Sequence, residues 1–221
     1  MFDYLLNLDR AIVVAINSSW SPFLDNFFMA VSFKHNWNYF YILLILWIIF
    51  TRTFYFPSNR SQLGLAQRIN SKMFVTVKNS CWLSIILILS VLLTYFFTDS
   101  ISHSILKDGL ARLRPTYDPY IQDIIRTPMG RGGLYGFVSS HASNCCGFAV
   151  ITALIIRKRL YTILAIISCI LICYSRIYLG RHFLGDIIGG AILGILCGLV
   201  VYWLLKIAVL NLFKKSFVQQ Q

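Results

Sequence analysis

Residues 187–205 read IIGGAILGILCGLVVYWLL, a run without a single charge. A bilayer's hydrocarbon core takes roughly 20 mostly apolar residues as a helix, with about 17 at the lower end. The run is therefore a transmembrane span by length alone, and CWLSIILILSVLLTYFF at 81–97 is a second. YFYILLILWIIF (39–50), CCGFAVITALII (145–156) and LYTILAIISCILICY (160–174) are shorter. They reach spanning length by drawing polar neighbours such as Asn144 and Ser175 into the membrane, facing the bundle interior. Of the 221 residues, 57% are hydrophobic and 13% charged, against roughly 25% charged in a soluble domain. The pattern excludes a soluble enzyme. It predicts an all-α integral membrane bundle of about six transmembrane helices, in one domain over 1–221.

The N-terminus, MFDYLLNLDRAIVVAINSSW, is too interrupted for a clear span. Its acids, Asp3 and Asp9, stand where a cleavable signal peptide would carry basic residues, so none is expected. Ser21-Pro22 reads as a helix cap followed by proline at the first helical position. Phe23, Leu24, Phe27, Phe28 and Val31 then give the next segment an apolar helical face. Residues 1–34 are expected to form one or two short helices, partly interfacial, that complete the bundle.

A formal charge of +12 invites a nucleic-acid reading, which its distribution rejects. Arg52, Arg60, Arg68 and Lys72 crowd the acid-free loop 51–73. Arg157, Lys158 and Arg159 form a short turn between spans, and Lys214 and Lys215 follow the last one. Alternating spans put all three groups on one side, which the positive-inside rule makes cytoplasmic. The six cysteines (81, 145, 146, 169, 173, 197) lie in or beside apolar runs and read as packing residues. Cys169 and Cys173 are one turn apart, but the sequence offers them no evident ligand partner.

The same alternation brings three polar clusters to the opposite face: KDGLARLRP (107–115), VSSHAS (138–143) and SRIYLGRHFLGD (175–186). Ionisable groups at membrane depth are expensive and mark function by default. Lys107, Arg114 and Arg176 supply cations, and arginine matches phosphate oxygens in a fork. Ser139 and Ser140 open a helix, where hydroxyls and free backbone N–H groups attract anions. His182 and Asp186 are four apart and share a helix face. The carboxylate there accepts from Nδ1–H and leaves Nε2 as a nucleophile. His141, on another helix, is placed for general acid and base work. These are the parts of a phosphoryl-transfer site working through a phosphohistidine.

K-x6-RP (Lys107, Arg114, Pro115), SxH (Ser139, Ser140, His141) and SR-x5-H-x3-D (Ser175, Arg176, His182, Asp186) resemble the three signature motifs of the type 2 phosphatidic acid phosphatase superfamily. That superfamily includes membrane lipid phosphatases, glucose-6-phosphatase and vanadium haloperoxidases. The resemblance covers roughly 101–190 directly. It departs at the second motif, usually PSGH, where Val138 replaces proline and Ser140 replaces glycine. The resemblance implies that His182 attacks phosphorus in line while Asp186 supports the imidazolium. Lys107, Arg114, Arg176, Ser139 and Ser140 would hold the phosphoryl oxygens. His141 would protonate the leaving oxygen and then activate water. No metal or other cofactor is expected: the chain has eight Asp and no Glu, and only Asp186 is well placed, whereas two-metal phosphatases need several converging carboxylates.

Other features read as supports. Arg181 is a neighbouring charge outside the catalytic set, and Arg112 is an accessory phosphate contact or an interface anchor. His35 and His103 are interfacial, and Trp37, Tyr39 and Trp203 fit an aromatic belt. Gly189, Gly190, Gly194 and Gly198 offer small-residue spacing for close helix packing. Loop 108–138, with RTPMGRGGLYGF, reads as a flexible lid, Arg126 and Arg131 meeting anionic headgroups; its glycines lack the G-K-[ST] ending of a P-loop. The expected substrate is a lipid phosphate in the outer leaflet of a cytoplasmic (inner) membrane, with the active site on the periplasmic or extracellular side. For a compact member the resemblance points to undecaprenyl diphosphate. Phosphatidylglycerophosphate, phosphatidic acid and lipid A phosphates are alternatives, by hydrolysis or phosphotransfer. An anionic-lipid transporter is the rival from another class, and it has no use for His182 beside Asp186.

Overall fold

The computed structural model describes residues 2–33, 36, 42, 53–57, 74–78 and 81–218. Six helices of eleven residues or more occur among them: α1 (Phe2–Ser18), α2 (Pro22–Ser32), α3 (Cys81–Ser100), α4 (Ser140–Ile156), α5 (Arg159–Tyr178) and α6 (Leu184–Val218). Besides short helical turns at Ile101–Lys107, Asp108–Leu110 and Pro115–Tyr117, the described residues include a hairpin, β1 (Thr53–Pro57) with β2 (Phe74–Lys78), paired antiparallel from Thr53 opposite Lys78 to Pro57 opposite Phe74. It falls at the two ends of the basic loop and adds a feature the helical periodicity did not predict. The expected span at 39–50, apart from position 42, lies outside the described residues, as do positions 35, 52, 60, 68 and 72.

Among the described residues, three helical stretches are long and apolar enough to cross a membrane: Ile85–His103, Arg159–Tyr178 and Leu184–Val209. Only 33%, 22% and 28% of their apolar windows are buried inside the protein. Their outer faces expose Leu89, Leu92, Phe96, Ile166, Ile170 and Trp203. A water-soluble surface does not carry apolar area on that scale, so these faces meet lipid. The protein is a membrane protein. The shorter apolar helix α4 is wrapped by the others.

Glycines set how closely α4 and α6 approach. A Cβ on Gly190 would stand 2.5 Å from the Ser139 carbonyl oxygen, and one on Gly198 would stand 3.0 Å from that of Gly147. One on Gly194 would overlap the Ser143 carbonyl oxygen. The small-residue stripe is thus spent within the chain, where bare backbones gain van der Waals contact that lipid cannot replace. Further from the site, Leu87 and Val91 of α3, Ile151 and Ile155 of α4, and Val201 and Leu205 of α6 form an apolar core. Nearer to it, Thr98 donates to Asn144 Oδ1 at 2.7 Å and Asn144 donates to Asp99 Oδ1 at 2.9 Å, satisfying polar groups that lipid would leave bare.

The N-terminal segment is more than an interfacial appendage. Ser21 caps α2 by accepting from Leu24 N–H at 3.2 Å, with Pro22 at the first turn as its sequence predicts. One face of α1 buries Val13 and Asn17, while Tyr4, Leu5 and Leu8 stay exposed. Asn17 donates to the Tyr178 and Arg126 carbonyls at 2.7 and 3.1 Å and accepts the Arg126 N–H at 2.8 Å. One amide thereby joins α1, α5 and the 108–138 segment.

Candidate active site

Helices α4 and α6 begin, and α5 ends, at the same end of the bundle, where Ser139 N–H donates to the Asp186 carbonyl at 3.0 Å. The turn between α5 and α6 is closed by Arg181 and His182 N–H groups, which both donate to the Arg176 carbonyl, at 2.9 and 3.3 Å. Gly180 makes that turn possible, with φ +66° in the left-handed region. Any Cβ there would also stand 2.6 Å from Ile125 Cγ2. The chain then enters α6 with Asp186 in its first turn, where a carboxylate complements the helix dipole. Asp186 Oδ2 accepts the Phe183 N–H at 3.1 Å and lies 3.4 Å from His182 Nδ1. Both side chains are almost fully buried.

Cations surround this pair. Arg114 follows a left-handed residue, Ala111 (φ +45°), that ends the preceding helical turn. Its Nε donates to the Tyr135 carbonyl at 3.0 Å. Arg176 is buried in the last turn of α5, with Nη1 bonded to Ser32 Oγ. Among the described residues its Nε has no hydrogen-bond partner, and the same holds for the buried Nε of Arg181. Buried donors without acceptors are costly, and two guanidinium groups in that condition beside one histidine suit an anion. Lys107 ends a wider π-type turn, Ile101–Lys107, that continues α3, and its Nζ donates to Ser140 Oγ at 2.8 Å. Burial holds the His182 imidazole well below its ordinary pKa of 6.5, and Arg114, Arg176, Lys107 and Arg181 press it further in the same direction. Burial, and then Arg181, likewise lowers Arg114, while Arg181 is lowered by burial. A cluster in which cations depress one another gains by taking up negative charge.

The second motif is divided between framework and site. Ser139 caps α4, its Oγ accepting the Ala142 N–H at 3.4 Å, and its own N–H is committed to Asp186. Ser140 Oγ takes the Lys107 bond and a second from the Ser102 hydroxyl at 3.0 Å. His141 follows on the first turn of α4, half-buried. A family model, the PAP2 superfamily, matches residues 83–209, which contain all three motifs.

The chain belongs to the PAP2 superfamily.

It is 32% identical over 201 residues to a lipid A 4'-phosphatase of Porphyromonas gingivalis, covering 90% of this chain and 74% of that one. It is 28% identical over 207 residues to a lipid A 4'-phosphatase of Bacteroides thetaiotaomicron, covering 92% and 80%. The crystal structure of Aquifex aeolicus LpxE superposes with a TM-score of 0.61 at 22% identity, over 89% of this chain and 93% of that one.

Within this PAP2 fold several residues stand where sequence reasoning did not put them. Arg112 is no interface anchor: Nη1 bonds Asp186 Oδ1 at 2.8 Å and Nη2 bonds Asp9 Oδ2 at 2.6 Å. Arg126, expected to meet headgroups, is instead paired within the protein, to Asp25 at 2.5 Å beneath the Trp20 ring. Arg181, set aside as a neighbour, is one of the cations acting on His182. The 108–138 segment is a pinned strap, not a flexible lid. Leu113 pairs with Tyr135, Thr116 donates to the Arg131 carbonyl at 3.0 Å, and Tyr117 donates to that of Gly132 at 3.0 Å. The fold also gives Cys169 thiol neighbours, with the sulfurs of Cys145, Cys146 and Cys169 within 4.8 Å of one another. The Cys169 and Cys145 thiols donate to the Cys145 and Ala142 carbonyls at 3.2 and 3.4 Å, as packing thiols do.

Proposed function

We propose that this PAP2 protein is a membrane lipid phosphatase that removes a phosphate from a lipid headgroup through a phosphohistidine on His182. The observation that carries the reading is the burial of His182 against Asp186 among Lys107, Arg114, Arg176 and Arg181, two of whose guanidinium groups keep an unpartnered Nε. Asp186 Oδ2 accepts the Nδ1–H and so presents the Nε2 lone pair to phosphorus. The P–N bond forms as the P–O bond to the lipid breaks. Lys107, Arg114 and Arg176 hold the three equatorial oxygens, where charge must be neutralised in transfer. Ser140 supports this by fixing Lys107, and Ser139 by fixing the end of α4. His141 gives its proton to the leaving lipid oxygen. It then takes one from water, whose oxygen attacks phosphorus and breaks the P–N bond, so that inorganic phosphate leaves and both histidines return to their starting states. All of this proceeds without a metal ion.

For the substrate, the relatives named lipid A 4'-phosphatase favour a phosphomonoester on a lipid A-type glycolipid over undecaprenyl diphosphate. The site lies at the end of the bundle away from the Arg157–Lys158 turn, which supports a periplasmic or extracellular active site by the positive-inside rule. The test is phosphate release by the detergent-purified protein with EDTA present. Lipid A, undecaprenyl diphosphate, phosphatidylglycerophosphate and phosphatidic acid are compared, with His182→Ala as control. Release that is fastest from lipid A and absent in His182→Ala is expected. Release that needs added metal, or that survives in His182→Ala, overturns the mechanism, and faster release from another lipid reassigns the substrate.

A further inference from the structure

Asp9 belongs to none of the three motifs, yet the fold carries its carboxylate from α1 to the back of the candidate site. Its Oδ2 takes Arg112 Nη2 at 2.6 Å, and Oδ1 and Oδ2 share the Gly185 N–H at 3.2 Å each. Arg112 passes its other nitrogen to Asp186 Oδ1 at 2.8 Å and lies over the Phe183 ring, 4.6 Å from the centroid. Asp186 Oδ2 remains for His182. The four side chains form one line: Asp9, Arg112, Asp186, His182.

We infer that Asp9 is a positioning residue for the proposed phosphoryl transfer, acting through Arg112 to hold the Asp186 carboxylate in register with His182. The inference rests on the reading of His182 as the nucleophile. A carboxylate with no solvent exposure needs a counter-charge, and Arg112 supplies it. An arginine held by nothing else would draw Asp186 into a two-point ion pair and away from the imidazole. Asp9 prevents this by occupying Nη2, so that Arg112 offers Asp186 one nitrogen and only Oδ1 is engaged. It also leaves the line Asp9–Arg112–Asp186 with one net negative charge, which is what an imidazolium forming at His182 requires. Gly185 has no side chain where this pair passes: a Cβ there would stand 2.9 Å from both Arg112 Nη1 and Asp9 Oδ2. The first turn of α6 is thus shaped around the Asp9–Arg112 pair as well as around Asp186.

The experiment measures kcat and KM of the full chain in detergent, on whichever of the four lipids is cleaved fastest. The variants are Asp9→Asn, Asp9→Glu, Arg112→Gln and the Asp9→Asn/Arg112→Gln double. Asp3→Asn, an exposed acid on the same helix, serves as the neutral control. Asp9→Asn is expected to lower kcat about tenfold or more with KM within about twofold, and Asp9→Glu to recover part of the loss. In the Arg112→Gln background the added cost of Asp9→Asn should shrink to about twofold or less, because the coupling runs through that guanidinium. Wild-type kcat in Asp9→Asn overturns the inference. So does a loss undiminished in the Arg112→Gln background, which would make Asp9 a support of α1 alone. If Asp9→Asn fails to fold, Gly185→Ala keeps both charges but displaces the pair. It should show the same kcat-selective loss, and full kcat there is an overturning result. Activity surviving in His182→Ala removes the underlying reading, whereas activity lost in His182→Ala but intact in Asp9→Asn removes only this inference.

Discussion

His182 Nδ1 stands 3.4 Å from Asp186 Oδ2, and that same oxygen accepts the Phe183 N–H at 3.1 Å. The backbone bond fixes where the carboxylate sits, and the carboxylate fixes which imidazole nitrogen is free. Substitutions at the two positions should therefore differ in degree. His182→Ala is expected to lower phosphate release by at least ~10³-fold, the scale of losing a nucleophile. Asp186→Asn keeps the shape but loses the charge, and is expected to cost about 10²-fold in kcat. Both proteins should keep the helical circular-dichroism signal of the wild type. Equal and complete loss in the two, with normal folding, would mean that the carboxylate has a more direct part than orienting and stabilising the imidazole.

The electrostatics around His182 predict a pH profile. Burial, and then the four cations, hold its pKa well below 6.5, so in the free enzyme the imidazole stays neutral at pH values where an ordinary histidine is protonated. The acidic limb of kcat/KM, where it reports His182, should lie below pH 6.5. Stability follows the same sign. Below pH 6.5 the unfolded chain binds a proton at this position that the folded chain refuses, so the melting temperature should fall as pH drops from 6.5 toward the folded pKa. His182→Gln should remove that component of the fall. Arg114→Gln takes away the cation that presses hardest on His182 and should move the acidic limb upward, whatever it does to the amplitude. An acidic limb that stays in place in Arg114→Gln would count against His182 as the group it reports.

The grouping of the candidate site residues was largely legible because charge inside an apolar run has few innocent explanations, and the spacing of His182 and Asp186 on one helix face needs no tertiary information. Arg112 was not legible. Its carboxylate partner Asp9 lies 103 residues earlier, in a stretch whose polar residues read as breaks in a span. Those polar residues are the tertiary links of α1: Arg10 pairs with Asp118 at 3.0 Å, and Asn17 bonds the backbone of the strap and of α5. Hydropathy counts such groups as interruptions because it cannot see their partners. The strap was misread for a related reason. Its glycines suggest freedom, while the bonds that pin it, from Thr116, Tyr117 and Asn17, depend on a fold that composition does not encode.

Ser140 stands where the superfamily's second motif usually has glycine, and its hydroxyl holds Lys107 Nζ at 2.8 Å while taking the Ser102 hydroxyl at 3.0 Å. A hydrogen bond to a charged group contributes about 1.5–3 kcal/mol. Part of that returns when water or substrate takes over as partner. Ser140→Ala should thus lower kcat/KM about tenfold, equivalent to about 1.4 kcal/mol. Ser140→Gly should do the same, even though it restores the more usual residue. Activity above wild type in Ser140→Gly would mean that the serine Cβ obstructs the phosphate more than its hydroxyl helps.

Gly180 joins Arg176, the proposed phosphate ligand, to the proposed nucleophile His182, and its backbone is left-handed at φ +66°. An alanine there meets two penalties. The left-handed conformation costs an L-residue roughly 1–2 kcal/mol. The added Cβ would also stand 2.6 Å from Ile125 Cγ2 and 2.9 Å from the Arg126 carbonyl oxygen, so the strap or the turn must shift. Either shift moves Arg176 relative to His182, because the Arg176 carbonyl is the common acceptor of the Arg181 and His182 N–H groups. Gly180→Ala should therefore lower the melting temperature and lower kcat together, the second by about 10²-fold, as expected when reacting groups are displaced by about an ångström. Tyr117→Phe, which removes one clip of the strap to the Gly132 carbonyl at 3.0 Å without touching this turn, should cost far less on both counts. Comparable losses in the two variants would assign the effect to the strap and not to the geometry of the turn.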